Sequence, residues 1–148
     1  MKHSRLAAWL LGFPGLLLAI AFILISMHQN NLVQNHQAND FTFEKDALCI
    51  KGTGLSDKLA YSSMKKIECV NKVETVRPVD EAYFNGIVET KKYGDARVYV
   101  YPHTKKYIVI HTPKKIYIIN EYSVSKTEKL YRELKQHCLL FLFTKFIS

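Results

Sequence analysis

Leu6 to Met27 is a 22-residue stretch without one charged side chain, in a chain of 148 residues. At about 1.5 Å of helical rise per residue, roughly 20 apolar residues cross the hydrocarbon core of a bilayer. Gly12, Pro14 and Gly15 fall inside the stretch; they disrupt a helix in water but are tolerated in lipid. Trp9 lies near one end, where an interfacial aromatic belongs. A cleavable signal peptide has an apolar region of about 7–15 residues followed by a small-x-small site. Here the run is longer, and Ser26-Met27-His28-Gln29-Asn30 carries no such site. Residues 1–27 are therefore expected to form a permanent transmembrane anchor.

The flanks orient it. Lys2 and Arg5 precede the span, while residues 28–44 contain no Lys or Arg. Positive charge is retained on the cytoplasmic side, which predicts a single-pass cell-membrane protein with a cytoplasmic N-terminus and the remainder extracytoplasmic. Residues 28–46 begin HQNNLVQNHQAND and read as a solvated polar tether. His28 and His36 lie within it, eight residues apart on polar chain, without the fixed second shell that metal-binding imidazoles need; no metal site is expected.

From Phe41 onward the pattern is one of short strands and turns. Leu48 to Lys51 ends at Gly52-Thr53-Gly54, and Lys58 to Ser62 and Ile67 to Val73 follow. Arg97 to Tyr101 (RVYVY), Tyr107 to Thr112 (YIVIHT) and Ile116 to Asn120 (IYIIN) are dense in β-branched and aromatic residues. Their connections are short, so these three strands are expected to form an antiparallel meander. Ser125-Lys126-Thr127-Glu128 fits a helix capping box, with Glu128 and Arg132 spaced to pair. Leu130, Leu134 and Cys138, with Tyr131 beside them, form one apolar stripe for packing against the sheet. Residues 138–148 are then apolar all round and too short to span a bilayer; they either pack on the domain or rest in the membrane interface.

Short strands closed by a C-terminal helix behind a membrane segment resemble the bacterial pleckstrin-homology-like domains of small membrane proteins. The match is carried by Tyr61-Ser62 ahead of the strand at Ile67, Asn85-Gly86 and Tyr93-Gly94. Val98-Tyr99-Val100, Tyr107-Ile108-Val109-Ile110 and Tyr117-Ile118-Ile119-Asn120 complete it. The resemblance covers residues 47–137 and implies a mainly β fold, a bent antiparallel barrel of about seven strands capped by the helix. Family members are usually richer in glycine where this chain has Ile87-Val88-Glu89-Thr90-Lys91-Lys92. Eukaryotic pleckstrin domains hold inositol phosphates with basic residues between their first two strands; here Gly52 to Lys58 is nearly neutral, so that ligand is not implied.

The net charge is +8, from 21 Lys plus Arg against 13 Asp plus Glu. Only Lys2, Arg5 and Asp40 fall outside residues 41–148, which therefore carry 19 − 12 = +7. The excess recurs as pairs: Lys65-Lys66, Lys91-Lys92, Lys105-Lys106 and Lys114-Lys115. These eight residues are the candidate contacts for an acidic partner, either phospholipid headgroups or another protein. The alternative is lysines that solvate turns and protect strand edges. In a meander Lys105-Lys106 and Lys114-Lys115 lie at opposite ends of one strand and do not share a patch.

Tyr99, Tyr101, Tyr107 and Tyr117 would suit base stacking, but tyrosines at strand spacing more often pair across strands, and nucleic acid is not an expected partner. Cys49 and Cys69 are expected to be small core residues rather than a disulfide, with Cys138 buried on the helix stripe. His103 is placed in a turn and His111 in a strand, and Asp80-Glu81 lie beside a proline in a loop. No nucleophile–base arrangement has a local signature, so neither enzymatic activity nor a cofactor is expected.

Overall fold

A computed structural model describes the backbone of residues 2–148 and the side-chain surroundings of residues 12–148. The side chains of Lys2, Arg5 and Trp9, on which the orientation and interfacial expectations rest, lie outside the described residues. The chain divides into two units after Asn35.

The first unit is one helix, α1 (Lys2–Gln34), continuous through Pro14. Among the described residues, Gly12–Gln34 is the one stretch long and apolar enough to cross a membrane, by length and composition. Leu18 and Phe22 are both exposed. The polar tether expected over residues 28–46 is not found. Residues 28–34 contain neither Pro nor Gly, so nothing interrupts the backbone ladder and the helix runs on to Gln34. The Asn35 N–H donates to the Asn31 carbonyl at 3.0 Å, and the Asn35 amide to Asn31 Oδ1 at 2.7 Å. His36, at φ 57°, turns the chain out of the helix. From Ala38 onward the chain already belongs to the β domain.

That domain contains eight strands in two sheets. β1 (Asp40–Phe43), β2 (Ala47–Lys51) and β3 (Ser56–Ala60) form a three-stranded antiparallel sheet in sequence order. A 3-10 turn, Tyr61–Ser63, takes the place of the last residues expected in β3. β4 (Lys66–Val70), β5 (Phe84–Thr90), β6 (Gly94–Val100), β7 (Tyr107–His111) and β8 (Ile116–Ile119) form the second sheet, in the order β4-β7-β8-β6-β5. The fold is mainly β with a C-terminal helix, as the resemblance implies, with its strands shared between two sheets.

The expected meander of β6, β7 and β8 does not form. β8 inserts between the other two, antiparallel to β7 and parallel to β6. The connection from Tyr101 to Lys106 must therefore step over the width of β8. Asn120, fully buried, holds that crossing. Its Oδ1 accepts the Tyr101 N–H at 2.7 Å, and its Nδ2 donates to the carbonyls of Tyr101 and Lys106, each at 3.1 Å. One side chain supplies the hydrogen bonds that a direct β6–β7 hairpin would have supplied.

Alternation along β6, β7 and β8 gives the five-stranded sheet two apolar faces. Tyr99, Ile108, Ile110 and Ile119 face the three-stranded sheet and the C-terminal helix, where they meet Leu48, Ile50 and Leu134. Ala96, Val98, Val109 and Ile118 face the other way, beneath the segment that carries Val73.

α2 (Val124–Ile147) begins at Ser123, two residues before the expected cap. The Ser123 hydroxyl accepts the Lys126 N–H at 3.3 Å. Thr127, which the capping box would have placed in the first turn, is instead fully buried; its hydroxyl accepts the Glu121 N–H at 3.0 Å and donates to the Ser123 carbonyl at 2.9 Å. With the helix started earlier, Glu128 turns to Lys106 at 3.4 Å rather than to Arg132. Leu130 and Leu134 pack into the core with Tyr131 and Cys138 at its margin, following the predicted stripe.

The cysteines are free and half-buried rather than core. Cys49 donates its thiol to Glu44 at 3.2 Å, which raises the thiol pKa, and it lies in a different sheet from Cys69.

Candidate functional site

Three of the four lysine pairs meet at one end of the five-stranded sheet. Lys66 opens β4 opposite His111, the last residue of β7, and the Lys65 N–H donates to the His111 carbonyl at 2.7 Å. Lys114 and Lys115 occupy the turn from β7 to β8, which closes through the Thr112 N–H on the Lys115 carbonyl at 3.0 Å. Lys91 and Lys92 occupy the β5–β6 hairpin, where Thr90 opposes Gly94. Because β6 and β8 run parallel, with Ala96 opposite Ile116, the start of β6 lies at the same end as the start of β8. The Tyr93 ring packs edge-on to His111 at 5.7 Å and joins the hairpin to the β7 end.

The hairpin itself is built from local chemistry. Gly94 takes φ +70°, which a glycine adopts without strain, and nothing crowds the position where a side chain would begin. The Thr90 hydroxyl accepts the Tyr93 N–H and donates to the Gly94 carbonyl, both at 2.9 Å. The turn thus presents Lys91 and Lys92 outward.

Part of this charge is balanced. Lys66 pairs with Glu68 at 2.9 Å, and His111 Nε2 lies 2.7 Å from the same carboxylate. Lys66 first, then His111, holds the Glu68 carboxyl below its usual range. Lys91 reaches Glu74 at 3.6 Å, a carboxylate it shares with Lys72. Lys65, Lys92, Lys114 and Lys115 are exposed and take part in no ion pair among the described residues. Lys105 and Lys106 stand at the far end of β7, and Lys106 is committed to Asn71 at 2.8 Å and to Glu128. The predicted separation of Lys105-Lys106 from Lys114-Lys115 follows from their flanking β7, whatever the strand order.

Other candidates are structural. Tyr99 and Tyr101 are buried, and Tyr99 and Tyr107 fall on opposite faces of the sheet, so the four tyrosines make no common platform. His103 is exposed in its turn, and His36 stacks on Tyr122 at 4.4 Å. Among the described residues no three His, Cys, Asp or Glu side chains gather as a metal-holding group. A cavity of about 140 Å³ under the 71–83 segment is lined chiefly by apolar side chains, among them Val73, Phe84, Val88, Val98 and Val100, with Thr75 and Tyr107 bringing hydroxyls.

An ion pair that the charge pattern did not reveal joins the sheets. Asp57 on β3 accepts from Arg97 Nε at 2.8 Å and from the Tyr99 hydroxyl at 2.5 Å, both on β6. Burial, and then the Asp57 carboxylate, push the Tyr99 hydroxyl pKa well up. The only signal in sequence was an acidic residue in an otherwise neutral loop.

Residues 39–138 match the family model described as bacterial PH domain. No curated protein and no solved structure matches the chain.

Proposed function

Because this chain belongs to the bacterial PH domain family, we propose that it is a non-enzymatic binding or assembly module. α1 anchors it in the cell membrane, and the lysine-bearing end of the β domain receives an acidic partner. The observation that carries this reading is the convergence of Lys65-Lys66, Lys91-Lys92 and Lys114-Lys115 on one end of the sheet. Four of these ammonium groups face solvent without a counter-charge among the described residues, an arrangement that attracts anions over several ångströms. The partner is a protein with an acidic face or a phospholipid headgroup layer.

The positive charges before the span and their absence just after it support a cytoplasmic N-terminus and an extracytoplasmic domain. Reporters fused to either terminus test this placement; a C-terminal reporter active in the cytoplasm overturns it and moves the same module to the inner face. Crosslinking of the intact protein in membranes, compared with a Lys65→Glu/Lys114→Glu/Lys115→Glu variant, tests the surface. Loss of the crosslinked species in the variant supports the reading, and an unchanged pattern overturns it.

A further inference from the structure

The end of the domain that carries the lysine pairs also carries the free end of α2. Phe43 stacks on His137 at 4.4 Å, and the Tyr61 and Phe141 rings lie 5.9 Å apart. Cys138 Sγ is 3.7 Å from Met64 Sδ. Beyond these contacts the helix continues without cover. Leu139, Leu140, Leu142, Phe143, Phe146 and Ile147 are all exposed, the last two at 88% and 86%. At about 100° per residue these six fall on one arc of about 160°, turned away from Cys138 and Phe141, which face the domain. The same arc one to three turns earlier carries Lys135, Arg132 and Lys129, together with Glu128, which is turned to Lys106. A cleft at the root of the uncovered stretch gathers Lys65, Lys66 and Lys135 beside Leu139 and Leu142.

We propose that this end of the domain docks on an anionic bilayer: the Leu139–Ile147 face enters one leaflet, and Lys65, Lys66 and Lys135 meet the headgroup phosphates around it. The inference rests on the preceding reading that the lysine end is the binding surface, and it names the partner.

Three observations favour lipid over protein. Nine helical residues rise about 13 Å, which fits within one leaflet of a hydrocarbon core about 30 Å thick and cannot cross it. The order along the outward arc is basic and then apolar, which is the order of headgroup and acyl layer met by an inserting helix. A second copy docked on the same face would bring the two sets of Lys65 and Lys135 together, with Glu68 already taken up by Lys66 and His111, whereas anionic headgroups neutralise them.

The chain contains a single tryptophan, Trp9. This allows a direct test in the full-length protein: a Trp9→Phe/Phe143→Trp variant reconstituted into phosphatidylcholine vesicles with or without phosphatidylglycerol, each with and without brominated acyl chains. The expected result is a blue-shifted emission that falls about twofold or more with brominated lipid in the phosphatidylglycerol vesicles. It should fall less in pure phosphatidylcholine, and less again when Lys65→Glu, Lys66→Glu and Lys135→Glu are added. Emission insensitive to bromine in every vesicle overturns the proposal. So does a blue shift without quenching, which would place the indole against protein, and so does equal quenching in the two lipids, which would remove the charge from the recognition.

Unfolding monitored by tyrosine circular dichroism confirms that each variant is folded, since every altered lysine is solvent-facing. Extraction of the membranes at alkaline pH reports separately on α1 as an anchor. A chain that washes off loses the anchored reading, while the quenching result, repeated on vesicles to which the protein is added, still decides the docking.

Discussion

The two ends of the β domain treat their polar groups in opposite ways. At the end where the chain enters from residue 36, polar groups are satisfied by one another. Asn39 donates to the carbonyls of Tyr99 and Asn120 and accepts from the Tyr83 hydroxyl; the Tyr101 hydroxyl accepts the Ala38 N–H; Asn120 binds the crossing from β6 to β7. Burial raises the pKa of Tyr83 and Tyr101, so both hydroxyls stay neutral across the physiological range. At the lysine end, among the described residues, four ammonium groups lack a counter-charge and a whole helical face lacks cover. A closed hydrogen-bond network contributes to stability and uniqueness of fold. Open charge and open apolar surface add little to folding and are available for a partner. The contrast separates an end closed on itself from an end left open, and the proposed function uses the open one.

Breaking the closed end should be costly. Asn120→Ala removes the partner of the buried Tyr101 N–H and the amide donor to the Lys106 carbonyl, while the Tyr101 carbonyl keeps the Thr104 N–H, and we expect about 2–4 kcal/mol of lost stability in urea unfolding. A smaller loss would mean that water replaces the amide.

Gly52→Ala probes the same end by volume. A Cβ there would meet the Tyr83 hydroxyl oxygen at 2.6 Å and the Tyr99 ring at 2.8 Å. Those rings are packed and both hydroxyls are hydrogen-bonded, so about 1–3 kcal/mol should be lost, read from the unfolding midpoint.

Glu121 sharpens the comparison with a titration. It follows Asn120 at the closed end, and burial raises its carboxyl above the ordinary 4.5. A raised folded-state pKa favours the protonated form, so its contribution is present below pH 4.5 and is lost as pH rises through the folded value. Glu121→Gln should therefore raise the melting temperature at pH 7. The gain should shrink as pH falls toward 4.5, which thermal melts across pH 4–8 would show.

At the open end the expected effect on stability is the smallest. Lys92→Ala/Lys114→Ala/Lys115→Ala should leave the melting temperature unchanged, because none of these side chains has a charged partner among the described residues. A clear drop would assign them to folding and remove the contrast.

Much of the domain was readable locally. β6, β7 and β8 are runs of β-branched and aromatic residues, and Leu130 and Leu134 declare the buried stripe of α2 by their spacing alone. β1 and β5 were missed for local reasons too. Asp40–Phe43 follows an Asn- and Gln-rich stretch that masks the alternation of Phe41 and Phe43. In β5, Asn85-Gly86 has the composition of a turn, yet Gly86 at φ +151° continues the strand. The helix starts earlier than Ser125-Lys126-Thr127-Glu128 suggests because the buried Thr127 hydroxyl binds back to the Glu121 N–H and the Ser123 carbonyl of the incoming chain.

The lysine pairs themselves were legible, but their meeting was not. Which pairs share an end depends on whether strands run parallel or antiparallel and on which strand inserts between which. Those choices are made by contacts between residues distant in sequence, above all Asn120 with Tyr101 and Lys106, and pairing preferences along a single strand do not encode them. Sequence alone determined an apolar helix long enough for a bilayer, a mainly β domain and a basic surface, because length, periodicity and charge are local quantities. Only the tertiary structure gathered six of the eight lysines at one end of the sheet and set Lys65 and Lys66 beside an uncovered helix end, because strand order is a property of the whole sheet.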